Sequence, residues 1–456
     1  MDNVKLKRAM TIRPRTCPAA LAILLLVWIP AWALSQVFQE IYSFSPLGLD
    51  GDSPHGGLIQ AKDGGFYGTT FYGGTWDYGT LFKMTPSGQI TTLASLDATN
   101  SDQHPITGLL QASDGNFYCA TVAPSRILRL APNGALSVFG EPGGTVAGDL
   151  VQGTDGYIYV ADAGDDYNGG FIFRFAPGNG VGELLIQFNY NSNYLSGYRP
   201  SGGLMQAADN NFYGVTGAGG AGGYGVVYKL TPSGAYSVMC SFSQGSGNAV
   251  NPYGRLLQAS DGNFYGVAGG YVAGTIFKMT PDGRLTTFAR FNGANGQTPT
   301  DGLIEANDGK FYGTTTYYGS NYVNGGTVFR LTADGILTAL VSFSGSRGPF
   351  PGATPYAGLV QGSDGNLYGT CGTEGTRGGG TIFRIIMPGP LLSFSNAAGE
   401  VLLSWPTNYA GYIVQSATSL QPPNWVDSSG SPVVAGSEFR VSLPAAQPSR
   451  FFRLKR

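Results

Sequence analysis

Along most of the chain, apolar and polar positions follow one repeating pattern. A leucine and a short apolar run lead into a polar turn, and a second apolar run follows, as in Leu256-Leu-Gln-Ala-Ser-Asp-Gly-Asn-Phe-Tyr265. The pattern is written seven times, with its aspartate at Asp63, Asp114, Asp155, Asp209, Asp261, Asp308 and Asp364. A tyrosine always stands four residues on, and a leucine five residues before. Successive aspartates are separated by 41 residues (Asp114 to Asp155) up to 56 (Asp308 to Asp364), the period of an array of supersecondary units.

Each unit predicts two hairpins. In the first, Asp-Gly between apolar runs points to a two-residue type I′ turn, which sets Gln258 opposite Tyr265 and Ala259 opposite Phe264. On this reading the aspartates are there because they tolerate positive φ. The second hairpin runs Thr275-Ile-Phe-Lys278, turns at Pro281-Asp282-Gly283 and returns through Leu285-Thr-Thr-Phe288. Four short strands per unit, with no 3.6-residue period, predict an all-β fold: a β-propeller of seven blades over residues 37–388. The last unit stops after its third strand, Thr381-Ile-Phe-Arg-Ile385, while Val37-Phe-Gln-Glu-Ile-Tyr-Ser-Phe-Ser45 matches the fourth strand of other units. The N-terminal strand is therefore expected to complete the last blade and remove its exposed edge.

These segments, GLxQxxDGNFYG and GTxFKxTPxG, resemble the secreted bacterial tandem repeats called GloVer (Gloeobacter/Verrucomicrobia) repeats, over about residues 37–388. The resemblance implies an exported, surface-associated protein and no particular activity. Beyond Pro390 the repeat gives way to short alternating strands around Trp405. Residues 391–456 resemble a small fibronectin-like β-sandwich module.

Composition refines this picture. There are 72 glycines and only 12% charged residues, which suits short strands joined by tight turns. A net charge of -2 gives no reason to expect nucleic acid as a partner. Lys5, Lys7, Arg8, Arg13 and Arg15 precede an apolar run from Ala19 to Leu34 that ends on Ala31-Trp32-Ala33. This predicts a signal peptide over residues 1–33 and a secreted chain (periplasm, cell surface or extracellular) with no transmembrane span once mature. Cys119, Cys240 and Cys371 are scattered over different repeats and read as small buried side chains, not as a disulfide framework.

Residues able to carry chemistry are sparse. His55 and His104 are the two histidines, both between units and at different offsets, so no catalytic triad, metal site or cofactor is expected. Asp50, Asp52, Asp162, Asp165 and Asp166 offer oxygens for calcium but read better as turn residues. The basic residue in each third strand, Lys83, Arg129, Arg174, Lys229, Lys278, Arg330 and Arg384, could form a ring that binds an acidic polysaccharide, but is expected to be half solvated or paired within its own unit. Acidic residues off the turns, such as Glu305 and Glu374, look isolated.

The loops between second and third strands are richer. They hold Tyr72, Trp76 and Tyr78 in the first unit and Tyr317, Tyr318 and Tyr322 in the sixth, set among Gly, Asn and Ser. Rigid aromatics beside adaptable polar residues are the composition of a binding surface. The expected function is a non-enzymatic binding or structural module whose ligand is a glycan or a surface protein. The alternative is a polysaccharide-active hydrolase or lyase using carboxylates in the propeller channel.

Overall fold

The computed structural model describes residues 37–97, 104–122, 124–164, 169–189, 194–244, 249–269, 273–319, 325–390, 392–397, 400–407, 409, 411–418, 424–428, 430–444 and 451–455. The predicted signal peptide lies outside them. Two compact units divide the chain, Ser35–Pro388 and Gly389–Arg456. The architecture is all-β: one three-residue 3-10 turn, Tyr194–Ser196, is the sole helical element among the described residues.

The larger unit is a succession of small antiparallel sheets, numbered here 1 to 7 in chain order. Sheet 1 is Ile59–Gln60, Phe66–Thr70, Thr80–Met84 and Ile90–Ser95, and sheet 5 is Val250–Gln258, Phe264–Gly269, Thr275–Met279 and Leu285–Arg290. Sheet 7 takes three strands from the end of the repeat, and Val37–Ser43 pairs antiparallel with Thr381–Ile386 as the fourth. Phe38 of that strand packs against Phe343, Phe350 and Phe383, and Phe44 just after it is fully buried.

The repeated Phe-Tyr pair explains how the sheets stack. Neighbouring residues in a strand point to opposite faces. The phenylalanine therefore faces one neighbouring sheet and the tyrosine the other. Tyr67 stacks on Phe117, Tyr159 on Phe212, Tyr213 on Phe264 and Tyr265 on Phe311, with ring centroids 3.9 to 4.6 Å apart. Tyr368 of sheet 7 does the same to Phe66 of sheet 1, at 4.1 Å.

The glutamine at the end of each first strand links the same neighbours. Gln111, Gln152, Gln206 and Gln258 each accept the backbone N–H two residues past the corresponding glutamine of the preceding sheet, from Lys62, Ser113, Thr154 and Ala208. Glu305 does so for Ser260 and Gln361 for Asn307. Gln60 then accepts from Ser363, which carries the circuit from sheet 7 back to sheet 1.

The first turn differs from the sequence expectation. Gln258 pairs with Phe264, and Leu257 with Tyr265, one residue out from the two-residue register. Ala259 N–H donates to Asn263 O, and Gly262 N–H to Ala259 O, each at 2.9 Å. This is a three-residue loop, Ser260-Asp261-Gly262, with its last residue left-handed (Gly262 φ 80°), the type I turn with a G1 bulge. The aspartate is thus not held there by positive φ. Its carboxylate ties the hairpin together: Asp261 Oδ1 accepts Asn263 N–H, while Oδ2 accepts from Tyr265 Oη and Lys278 Nζ at 2.9 and 3.0 Å. Asp63 and Asp209 meet Lys83 and Lys229 in the same way, at 2.7 and 2.9 Å. These basic residues are paired within their own sheets, as is Arg174 with Glu183 at 2.7 Å.

The smaller unit holds two antiparallel sheets. One contains Ser393–Ala397, Glu400–Pro406, Glu438–Pro444 and Val433–Ala435, and the other Val426–Asp427, Ile413–Ala417 and Phe451–Lys455. Trp405 is buried with Val401, Leu403, Val414, Val441 and Leu443. Cys119 and Cys371 are buried and Cys240 is half-buried, as expected of small packed side chains.

Candidate functional site

In an antiparallel four-stranded sheet the two tight turns emerge at one end. The second-to-third-strand loop and the connection to the next sheet emerge at the other. On that second end the structure assembles a continuous aromatic ribbon. Tyr356, from the segment entering sheet 7, lies 4.4 Å from His55, from the segment entering sheet 1. His55 lies 4.7 Å from Phe71 in the sheet 1 loop, and Phe71 stacks on His104 at 4.5 Å. Tyr72 and Tyr78 meet His104 edge-on at 5.2 and 5.7 Å. His104 N–H donates to Tyr78 O, and its Nδ1 lies 2.7 Å from Phe71 O.

The six aromatics singled out by sequence fare differently. Tyr72 and Tyr78 join the ribbon, Tyr72 exposed and Tyr78 half-buried. Trp76 is 62% exposed in the same loop and makes no ring contact among the described residues. Tyr317 and Tyr318 are exposed on sheet 6, with no ring contact to the ribbon among the described residues. Tyr322 lies outside the described residues. The two histidines looked unrelated by offset; the structure sets them on either side of one ring. Burial lowers the His55 imidazole to about 4, so it is a neutral aromatic surface at ordinary pH.

A channel opens beside the ribbon, where the segments entering all seven sheets meet. Its cavity of about 210 Å³ is lined by residues from each, including His55, Ile106, Ser201, Gly254 and Tyr356. A second cavity of about 440 Å³ continues it towards the first strands. Gly57, Asp149 and Asp301 border both and so mark the waist between them. Glycine is needed where these segments touch: a Cβ on Gly202 would lie 2.2 Å from Gly254 O, and one on Gly302 2.2 Å from Arg255 O.

Asp149 and Asp301 are the functional candidates that sequence reading passed over. Asp149 Oδ1 accepts Gly108 N–H at 2.8 Å, and Asp301 Oδ1 accepts Arg255 N–H at 3.2 Å. Burial raises the Asp149 pKa above the usual carboxylate value, and the Asp301 charge raises it further. The Arg255 guanidinium and the Gly108 N–H pull the other way. A signal was present in the sequence. The residue before the repeat leucine is glycine in five units but Asp149 and Arg255 in two, and two residues before it Asp301 replaces a small residue.

The remaining expectations separate clearly. Glu305 takes the place of one of the glutamines that link neighbouring sheets, and Glu374 accepts from Ser346 Oγ. Asp50 accepts from Tyr42 Oη, and Asp52 from Ser53 Oγ and Leu47 N–H. Asp162 is buried, with Oδ1 accepting Gly164 N–H, and Asp165 and Asp166 lie outside the described residues. Among the described residues no group of three or more His, Cys, Asp or Glu side chains is placed to hold a metal ion. No described helix is long and apolar enough to cross a membrane.

Comparison with known proteins places this geometry. The Gloeobacter/Verrucomicrobia repeat matches residues 132–282 and 251–399, together more than half of the chain. No curated relative matches. Among solved structures, virginiamycin B lyase from Staphylococcus aureus is similar over 77% of this chain and 100% of its own, at 16% identity and a TM-score of 0.55. A streptogramin B lyase matches over 77% of this chain and 97% of its own, at 15% identity and a TM-score of 0.54. The extracellular domain of a hybrid two-component system from B. thetaiotaomicron matches over 92% of this chain and 55% of its own, at 11% identity and a TM-score of 0.51. At these identities the likeness is one of fold.

Proposed function

The chain belongs to the Gloeobacter/Verrucomicrobia repeat family, and from that premise we propose that it is an exported binding module built on a seven-bladed β-propeller. The glutamine circuit from sheet 1 through sheet 7 and back supports the blade count and the closed ring over residues 37–388. Residues 391–456 form a small fibronectin-like β-sandwich, and residues 1–33 are a signal peptide removed after Ala33. The mature protein then begins at Leu34, which N-terminal sequencing of secreted material tests; an intact Met1 or Met10 start in the cytosol would end the export reading.

One observation carries the binding reading: the aromatic ribbon from Tyr356 to Tyr72 and Tyr78, extended outwards by exposed Trp76. Flat rings on an open face suit an extended, mostly neutral ligand, and sugar rings present C–H faces to such surfaces. A glycan is therefore favoured over a protein. Tyr317 and Tyr318 offer a second contact to a ligand long enough to reach sheet 6. Screening the purified protein on a glycan array, then titrating the best hit against Trp76→Ala and Tyr72→Ala, tests this. Each substitution should weaken binding by ~1–3 kcal/mol with the fold intact. Undiminished affinity in the double variant would remove the loop face as the site.

Asp149 and Asp301 favour a second reading, hydrolysis or elimination on a polysaccharide in the channel. Two carboxylates bordering one cavity, with Asp149 pushed up by burial, are a means of general acid and base work. It requires turnover that Asp149→Asn abolishes.

A further inference from the structure

We propose that the waist of the channel is a seat for a primary ammonium group, held between the Asp149 and Asp301 carboxylates and walled by Tyr356 and His55. This rests on the carboxylate pair and not on the loop-face reading. Each carboxylate has one oxygen committed, to Gly108 N–H and to Arg255 N–H respectively. The two Oδ2 atoms accept no hydrogen bond from the described residues, and both face one wall of the channel. A Cβ on Gly57 would stand 3.9 Å from Asp149 Oδ2 and 3.7 Å from Ala357 Cβ, while one on Gly358 would stand 3.0 Å from Asp301 Oδ2. Glycine at both positions keeps the space before these oxygens open.

Two carboxylates that repel each other in a confined site are relieved by a cation between them. The charged groups facing the pair decide which cation. Arg255 borders the wider cavity beyond the waist, and its guanidinium acts on Asp149 without hydrogen-bonding either Oδ2 among the described residues. On the other side stand His55, neutral above about pH 4, and Tyr356, their rings 4.4 Å apart. An ammonium carries three donors, enough for both Oδ2 atoms and one backbone carbonyl. The cavity of about 210 Å³ holds more than a bare ion. The aromatic wall receives the carbon skeleton behind the nitrogen and adds attraction to its charge. The ligand class is therefore a small primary amine, or a larger molecule presenting one, such as an amino sugar.

Isothermal titration of the full mature chain at neutral pH, with cyclohexylamine against cyclohexanol, tests the assignment. The amine should bind and the alcohol of the same shape should not. Asp149→Asn and Asp301→Asn should each weaken the amine at least roughly tenfold, the loss of one charged hydrogen bond. Gly57→Ala supplies a variant that folds, because its methyl meets only ordinary van der Waals contacts. It should keep the parent's melting temperature and lose affinity by narrowing the seat. Equal binding of amine and alcohol, or full affinity in Gly57→Ala, would overturn the proposal. So would calcium chloride occupying the site while the amine does not. Trp76→Ala should bind the amine like the parent, so failure of the glycan reading and failure of this one are separable.

Discussion

Tyr228 shows most plainly what a single residue does in these stacked sheets. It stands where other units place Phe82, Phe277, Phe329 and Phe383, and its hydroxyl is buried with no hydrogen-bond partner among the described residues. The ring itself is well packed against Phe188 and Tyr236. A buried unpaired hydroxyl costs roughly 1–3 kcal/mol, so Tyr228→Phe should stabilise the protein by about that amount. Chemical denaturation should show a higher midpoint at unchanged slope. A lower midpoint would mean that the hydroxyl holds an internal water.

The repeated aspartates make a second claim at this scale. The hydrogen bond from Lys83 leads in lowering Asp63 to about 2, with Tyr67 and Gly65 N–H adding to it. For Asp261, burial opposes ionisation, yet Asn263, Lys278 and Tyr265 hold the carboxyl at about 2. Both native values lie below the unfolded value near 4. The stability they contribute is therefore complete above about pH 4 and lost as pH falls towards 2. Acid unfolding followed by circular dichroism should fall in that window, and Asp261→Asn should flatten the transition. A transition centred at pH 5 or above would assign acid sensitivity elsewhere.

At the scale of the element, the hairpin shows what the sequence pattern conveys and what it withholds. Asp-Gly between apolar runs announced a tight turn, and a turn is there. Its length was not legible, because two- and three-residue loops both favour Asp-Gly and differ in where the last ladder bond closes. Backbone bonds from Gly262 and Ala259 settle it, and they put the strain on the glycine. A Cβ on Gly262 would meet nothing within 4 Å, so any cost of adding one is conformational and not steric. Gly262→Ala should destabilise by about 1–2 kcal/mol. Asn210 already occupies the equivalent place in sheet 4 at φ 61°, and Gly262→Asn should therefore lie close to the parent. Equal melting temperatures for the alanine and parent proteins would contradict the left-handed assignment.

At the scale of the whole molecule, the pairing of the first strand with the last sheet was legible because two fragments of one repeat stood at opposite ends. The channel was not. Asp149 and Asp301 come from distant units and belong to no shared motif; only the meeting of the segments that enter the sheets brings them to one waist, so a reading unit by unit could not join them. The ribbon was half legible for a similar reason: loop composition marked Tyr72, Trp76 and Tyr78, but His55, His104 and Tyr356 act by position between units. Closure itself can be tested. Removing residues 37–46 takes away the partner of Thr381–Ile386 and the side chains of Phe38 and Phe44. Burying each phenylalanine contributes about 1.5–3 kcal/mol, before counting the ladder bonds. A destabilisation of that size should lower the melting temperature by roughly 5–10 °C and leave an open sheet edge prone to self-association. Sheets 2 to 5 lie far from the cut in the circuit and should keep their hydrogen-exchange protection longest. If the truncated protein melts with the parent and stays monomeric, the first strand does not close the ring, and the contacts of sheet 7 with sheet 1, Ser363 N–H to Gln60 and Tyr368 on Phe66, must hold the two ends together.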